Sequence, residues 1–273
     1  MAAQSLSRAE ARIEINLLAQ RWLNVSHAWL LAHPEQIIPA AQQAEWADWL
    51  QRRLNGEPLA YLLGEREFFG LTFQVTPATL IPRADTELLV ELALQKIPPG
   101  APWRVLDLGT GSGAVALALA HARPEAAVWA LDASQAALAV ARENAARLGL
   151  KRVNFLHSDW FSALGEARFE LIVSNPPYIA EADPHLQQGD LRFEPVSALA
   201  AGADGLDDIR QLIAAAPRHL LPGGGLWLEH GYDQAAAVRA LLARAGFSGI
   251  ASARDLAGIE RVTGGFFPGT ADD

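Results

Sequence analysis

The chain contains no cysteine. Disulfides, zinc-thiolate centres and cysteine nucleophiles are therefore excluded, and the absence suits a reducing compartment. No apolar run approaches the ~18 residues of a membrane helix, so no membrane span is expected. Met1 to Arg12 lacks the apolar core of a secretory leader, which leaves the cytoplasm as the expected location. Basic residues adjoin only at Arg52-Arg53 and Lys151-Arg152, and the net charge is −9. Such a field offers no general attraction to a nucleic-acid backbone. The first 73 residues are no exception, with 6 Lys/Arg against 8 Asp/Glu. Internal repeats and low-complexity segments are also lacking.

What is present reads as globular. Of 273 residues, 51% are hydrophobic and 19% charged, enough to bury one large core or two smaller ones. Residues 1–73 read as a helical module. Ser7 and Glu10 have capping-box spacing, and Ala11, Ile15, Leu18 and Trp22 share one helical face. Ser26 can cap a short helix closed by Pro34. Pro39 fits the first turn of a third helix ending at Asn55-Gly56. Trp46, Trp49 and Leu50 are expected on its buried side.

Residues 56–86 change character. Leu71 to Val75 alternate with period 2, which predicts a hairpin or extended linker, and 74–86 is taken as the linker proper. Asp85 or Thr86 can cap a helix beginning at Glu87. Arg83, just before it, could bind an anion or carboxylate, or simply face solvent. From Trp103 onward strands and helices alternate, which implies an α/β domain, taken as 87–273, with a mostly parallel sheet. Strands are predicted at 103–108, 127–131, 153–157, 169–174, 225–230, 247–252 and 261–267. Helices are predicted at 114–122, 134–148, 206–221 and 233–245, with Gly223-Gly224-Gly225 as a turn.

Polar groups collect at the carboxyl ends of these strands, where open α/β sheets bind ligands. The first strand runs into Gly109-Thr110-Gly111-Ser112-Gly113, a loop whose backbone can approach a ligand closely. Its spacing is not the Gly-x-Gly-x-x-Gly of dinucleotide folds, and no lysine follows, so a phosphate-binding P-loop is excluded. Asp132 ends the second strand and can accept from both hydroxyls of a ribose, or cap the next helix. Asp159 and Trp160 follow the third; Asp159 can accept a base amino group and Trp160 can wall the pocket. A nucleoside without phosphates, such as S-adenosylmethionine, suits this set.

The fourth strand ends in Asn175-Pro176-Pro177-Tyr178. Neither proline can continue the ladder, so the turn fixes an amide, a free carbonyl and a ring. The Asn175 oxygen and the Pro176 carbonyl can accept the two hydrogens of an acceptor –NH2, and Tyr178 can lie on its flat face. The bland alternative is a Pro-Pro loop that merely ends a strand. Whether that nitrogen belongs to a planar amide or to a base, two such acceptors enrich it in electrons and orient it. Taken as a platform, Tyr178 should tolerate Phe and not Ala. Glu194, Glu229-His230 and His185 are further polar groups; a structural role suits Glu229-His230, and His185 could belong to a lid.

Ile81-Pro82-Arg83-Ala84-Asp85-Thr86-Glu87, Asp107-Leu-Gly-Thr-Gly-Ser-Gly113, Ser158-Asp-Trp-Phe161, Ser174-Asn-Pro-Pro-Tyr178 and Phe193-Glu194-Pro195 together resemble the HemK/PrmC family. These are peptide chain release factor glutamine N5-methyltransferases. The resemblance spans most of the chain. It departs at Ala84, where the family has proline, a change that touches no chemical group. It implies a class I S-adenosylmethionine-dependent methyltransferase, Rossmann-like and seven-stranded, behind a small helical domain that orients the substrate. The implied substrate is the glutamine of the Gly-Gly-Gln motif in class I release factors. Gly109 to Gly113, Asp132, Trp160 and Asn175 match the family's donor-binding positions, and Asn175 to Tyr178 its glutamine-binding motif. The alternative is an adenine-N6 methyltransferase, since the same turn suits an exocyclic amine; the charge and the lack of a nucleic-acid module count against it. A non-catalytic protein binding the donor and a translation factor is a further alternative.

Overall fold

The computed structural model describes residues 7–268; residues 1–6 of the expected helical module and 269–273 of the expected catalytic domain lie outside them. Four helices lead: α1 (Arg8–Leu23), α2 (His27–Ala32), α3 (Ala40–Leu54) and α4 (Leu59–Leu63). The capping box at Ser7 forms, with the Ser7 hydroxyl accepting from Glu10 N and the Glu10 carboxylate from Ser7 N. Ser26 caps α2, and Pro39 is the residue before α3 rather than part of its first turn. Arg53 forks onto the Glu14 carboxylate at 2.7 and 2.8 Å, tying α3 to α1. The expected apolar face is only partly realised. Leu18 is buried, but Ile15 is 48% exposed, and α3 buries no residue fully. Trp46 instead meets Trp22, ring centroids 5.3 Å apart.

A hairpin follows, β1 (Glu65–Phe68) paired antiparallel with β2 (Leu71–Gln74). Phe68 and Phe73 from it are buried in the main core beside Leu89 and Val90. Next come α5 (Glu87–Lys96), β3 (Arg104–Leu108), α6 (Ala114–Ala122), β4 (Ala127–Asp132), α7 (Gln135–Arg147), β5 (Asn154–His157) and β6 (Phe169–Ser174). The chain ends with α8 (Asp207–Ala215), β7 (Leu220–Glu229), α9 (Ala235–Arg244), β8 (Ser248–Arg254) and β9 (Glu260–Phe266). The last seven strands form one sheet in the order β5-β4-β3-β6-β7-β9-β8. Its first five are parallel, and β9 is antiparallel to both β7 and β8.

Strand side chains alternate between faces, and each face has its own core. Val105, Val128, Leu171 and Val173 join α5 and α6 on one side. Leu106, Leu108, Ile172 and Leu226 join α8 and α9 on the other. Gly223 to Gly225 are not a turn ahead of a strand but part of β7. There the pairing with β6 shifts register, and Gly223 N donates to the Phe267 carbonyl. The α8 region is shorter than predicted because Pro217 tightens its last turn to 3-10 geometry. No helix among the described residues is long and apolar enough to cross a membrane.

Candidate active site

The chain leaves β3 for β4 and β5 on one side, then returns to place β6 on the other. The reversal opens a crevice beyond the carboxyl ends of β3 and β6, the place where open α/β sheets bind ligands. A cavity of about 470 Å³ lies there. Its walls come from the loops after β3, β4, β5 and β6, from Thr79, Leu80, Pro82, Arg83 and Thr86 ahead of α5, and from Pro195, Ser197 and Ala198 on a strap of 3-10 turns, residues 189–198.

One half is built largely from backbone. Gly109 has φ +71°, and a Cβ there would stand 3.3 Å from the Trp160 ring. Gly111 has φ +56° and open space where a Cβ would go. The Asp132 carboxylate accepts from Gly111 N and Ser134 N, both at 2.8 Å. That ties the glycine loop to the end of β4 and leaves further lone pairs facing the cavity. Burial raises the Asp132 pKa, and the two N–H donors oppose it. Helix capping falls to Ser134, whose hydroxyl accepts from Ala137 N. Trp160 holds φ +45°, a strained conformation for a bulky side chain. The Ser158 hydroxyl braces it, donating to the Trp160 carbonyl at 2.7 Å and accepting from Ala163 N. Beneath the loop Asp107 is buried, and burial pushes its carboxyl up to about 7 against the pull of the Thr110 hydroxyl and Ala116 N.

The other half is built from side chains distant in sequence. The Ser174 hydroxyl donates to the Leu108 carbonyl at 2.7 Å, clamping β6 to β3. Asn175 lines the cavity, and its Nδ2 donates to Thr86 Oγ1 at 3.1 Å. Among the described residues nothing donates to Asn175 Oδ1 or to the Pro176 carbonyl. The Tyr178 carbonyl accepts from Gln234 Nε2, and the Tyr178 hydroxyl donates to Glu229 Oε1 at 3.2 Å. Burial pushes Glu229 up to about 7, with Thr86 and Tyr178 pulling it down and Asp85 adding to the rise. Arg83 lines the cavity and pairs at 2.6 Å with Glu194, which also accepts from Ile81 N.

Gly109, Thr110, Gly111, Ser112, Asp132, Asp159, Trp160, Asn175, Pro177 and Arg83 thus meet around one cavity. Three predicted site residues do not line it. Gly113 has φ +85° and serves packing, since a Cβ there would press on Leu117 and Ala141. Pro176 is buried beneath the turn. Tyr178 is not an open platform: its hydroxyl satisfies a buried carboxylate, so its loss by Tyr178→Phe is not expected to be mild. Thr86 does not cap α5 through its side chain. Asp85 pairs with Arg261 instead. Arg83 does take a carboxylate, but it is this chain's own Glu194. His185 is exposed and paired with Asp183. His230, just past the end of β7, is buried and held by Thr263 and the Gly231 carbonyl. Sequence reasoning gave Thr86 and Asp107 no role in the site. Asp208 was missed as well: it lines the cavity, and burial raises its pKa while the Trp160 side chain opposes the rise. The capping signal at Thr86 could have drawn attention to it, but nothing local links it to Asn175.

Comparison with known proteins bears on the chain as a whole. The family model described as "PrmC N-terminal domain" matches residues 1–64, and "Methyltransferase small domain" matches residues 84–190. A release factor glutamine methyltransferase of Bordetella pertussis is 56% identical over 93% of this chain and 94% of its own length. Another from Burkholderia pseudomallei is 53% identical over 98% of this chain and 94% of its own. Among solved structures, a T. thermophilus 16S rRNA methyltransferase in complex with AdoMet and guanosine aligns with a TM-score of 0.57. It covers 74% of this chain and 49% of that one at 24% identity, a likeness of fold. Helical module, methyltransferase sheet and Asn-Pro-Pro-Tyr turn occur here in one chain that matches its relatives almost end to end, and the chain belongs to the release factor glutamine methyltransferase family.

Proposed function

We propose that this cavity transfers a methyl group from S-adenosylmethionine to the side-chain amide nitrogen, N5, of the glutamine in the Gly-Gly-Gln motif of class I release factors. The observation that carries the reading is the setting of Asn175. Its nitrogen is taken by Thr86, and its oxygen is left to accept from a primary amide in the cavity.

The backbone half suits the donor. The space beside Gly111 admits close approach, the Asp132 carboxylate can accept ribose hydroxyls, and Trp160 walls the pocket with Asp159 at its edge. Bound there, S-adenosylmethionine supplies an electrophilic methyl on a positive sulfur. The chain's own residues supply position and charge. Asn175 Oδ1 accepts one amide hydrogen in the cavity, and the Pro176 carbonyl, set back from the lining, accepts the other as the amide enters the turn, which fixes the nitrogen lone pair. As the nitrogen gains positive charge these acceptors bind it more strongly, which favours the transition state over the ground state. The methylated amide is then acidic enough to lose its proton to water. Pro177 lines the approach, and Arg83, held by Glu194, offers charge at its mouth.

Residues 1–73 serve to orient the release factor, 74–86 to link, and 87–273 to catalyse. Arg192 on the strap donates to the Asn55 carbonyl at the end of α3, so the module and the cavity wall are in direct contact. The work of release factors places the reaction in the cytoplasm, with protein and not nucleic acid as acceptor.

Labelled S-adenosylmethionine tests this, offered with an unmodified release factor, its Gly-Gly-Gln→Gly-Gly-Ala variant, and duplex and single-stranded DNA. Label on the unmodified factor alone is expected. Label on DNA, or equal label on the Ala variant, would sink the proposal.

A further inference from the structure

The two ends of an asparagine amide have nearly the same shape and opposite roles. Asn175 works only with its oxygen toward the acceptor, and a hydroxyl partner alone cannot enforce that, because Thr86 Oγ1 can donate as readily as accept. Thr86 is 4% exposed, so its own proton must find a partner inside the protein. The carboxylate that its hydroxyl stabilises, short of a formed hydrogen bond, is Glu229, 2% exposed, at the end of β7. One carboxylate oxygen accepts from Tyr178; the other, Oε2, has no hydrogen-bond partner of its own. Neither Glu229 nor Tyr178 lines the cavity.

We propose that Glu229 is a positioning residue: through the Thr86 hydroxyl it holds the Asn175 amide with its oxygen turned to the acceptor nitrogen. This rests on the reading of Asn175 given above. A carboxylate can only accept, so it draws the Thr86 proton toward itself. The Thr86 lone pair then faces Asn175 Nδ2, and Oδ1 is left on the cavity side. The same carboxylate anchors the Tyr178 hydroxyl, so both ends of the Asn-Pro-Pro-Tyr turn hang from one buried acid. Protonation of Glu229 gives it a proton of its own to donate and removes the directionality. The groups facing it are Tyr178 from the turn after β6, Thr86 and Asp85 ahead of α5, and Arg261 on β9. His230, the residue just past β7, is engaged with Thr263 and Gly231.

The test has two arms. In the first, kcat and KM for the release factor are measured for Glu229→Gln, Thr86→Val and Thr86→Ser. Glu229→Gln and Thr86→Val should each lower kcat roughly tenfold or more with KM moving less than about threefold. Their double variant should be little worse than either, as for residues that act as a unit. Thr86→Ser should restore most of the activity. Wild-type kcat should rise with pH as Glu229 ionises, and Glu229→Gln should abolish that limb. In the second arm, the Asn175 side-chain NH2 signals are followed by NMR in 15N-asparagine-labelled protein, assigned by their loss in Asn175→Asp. In the wild type they should titrate with Glu229, and in Thr86→Val they should shift and cease to titrate. This arm needs no acceptor and no variant at Glu229, so it separates failure of the inference from failure of the substrate assignment. Signals indifferent to pH and to Thr86→Val would overturn the inference whatever the acceptor proves to be. So would near-normal kcat in both single variants, or losses that multiply in the double.

Discussion

The two halves of the cavity are made by different means. The half assigned to the donor is short-range: glycine amides, a strand-end carboxylate 21 positions from the N–H it accepts, and a tryptophan braced by a serine two residues before it. The half assigned to the acceptor is long-range: Asn175 meets Thr86 from 89 positions away, and Tyr178 meets Glu229 from 51. The first half can be assembled by local turns feeding parallel strands. The second exists only once β6, β7 and the start of α5 have packed together. Changes in the first should therefore act on donor affinity, and changes in the second on turnover.

Each half also buries one carboxyl whose pKa is raised to about 7, Asp107 in the first and Glu229 in the second. A raised carboxyl binds its proton more tightly folded than unfolded, so each favours folding below its unfolded pKa. That advantage is lost as pH rises from the ordinary carboxyl range through about 7. Ligand-free protein should lose on the order of 3 kcal/mol per group across that window. Thermal melts from pH 5 to 8 should show the decline, and Asp107→Asn and Glu229→Gln should each flatten part of it. A wild-type stability that climbs over this range would contradict both burial assignments.

Asp132→Ala removes two accepted backbone hydrogen bonds and the proposed ribose acceptor. Donor affinity by calorimetry should fall on the order of 100-fold, given about 1.5–3 kcal/mol for a hydrogen bond to a charged group. Turnover at saturating donor should stay within a few-fold of wild type. A large turnover loss with intact affinity would erase the division between the halves.

The fold was largely legible. Strand and helix alternation follows from the apolar runs, and the predicted strand 169–174 and helix 114–122 coincide with β6 and α6. The donor half was legible too, because its residues follow strand ends in order. Thr86–Asn175 was not, since a threonine ahead of a helix looks locally like a cap. The Tyr178 hydroxyl was misjudged for the same reason: its partner lies on a strand that has yet to arrive in sequence. The face that carries Ile15 is only partly covered, because helical periodicity marks a face without saying whether anything packs on it.

Smaller effects bound the comparison. Ser134→Ala removes the cap of α7 beside the donor half and should cost about 1 kcal/mol in denaturant unfolding. A loss well above that would mean Ser134 also holds the Asp132 loop. Ile13 is 60% exposed on α1, so Ile13→Gln should shift stability by no more than about 0.5 kcal/mol. A larger loss would mean this helix face is packed after all.

The most direct measurement is single-turnover methyl transfer to the release factor by Asn175→Ala, with donor saturation checked by calorimetry. Loss of the amide acceptor should slow the step on the order of 100-fold or more, since one preorganised contact of this kind is worth about 3–4 kcal/mol, while the protein still melts cooperatively. A rate within a few-fold of wild type would contradict the account, because the cavity would then be orienting its acceptor by some group other than Asn175.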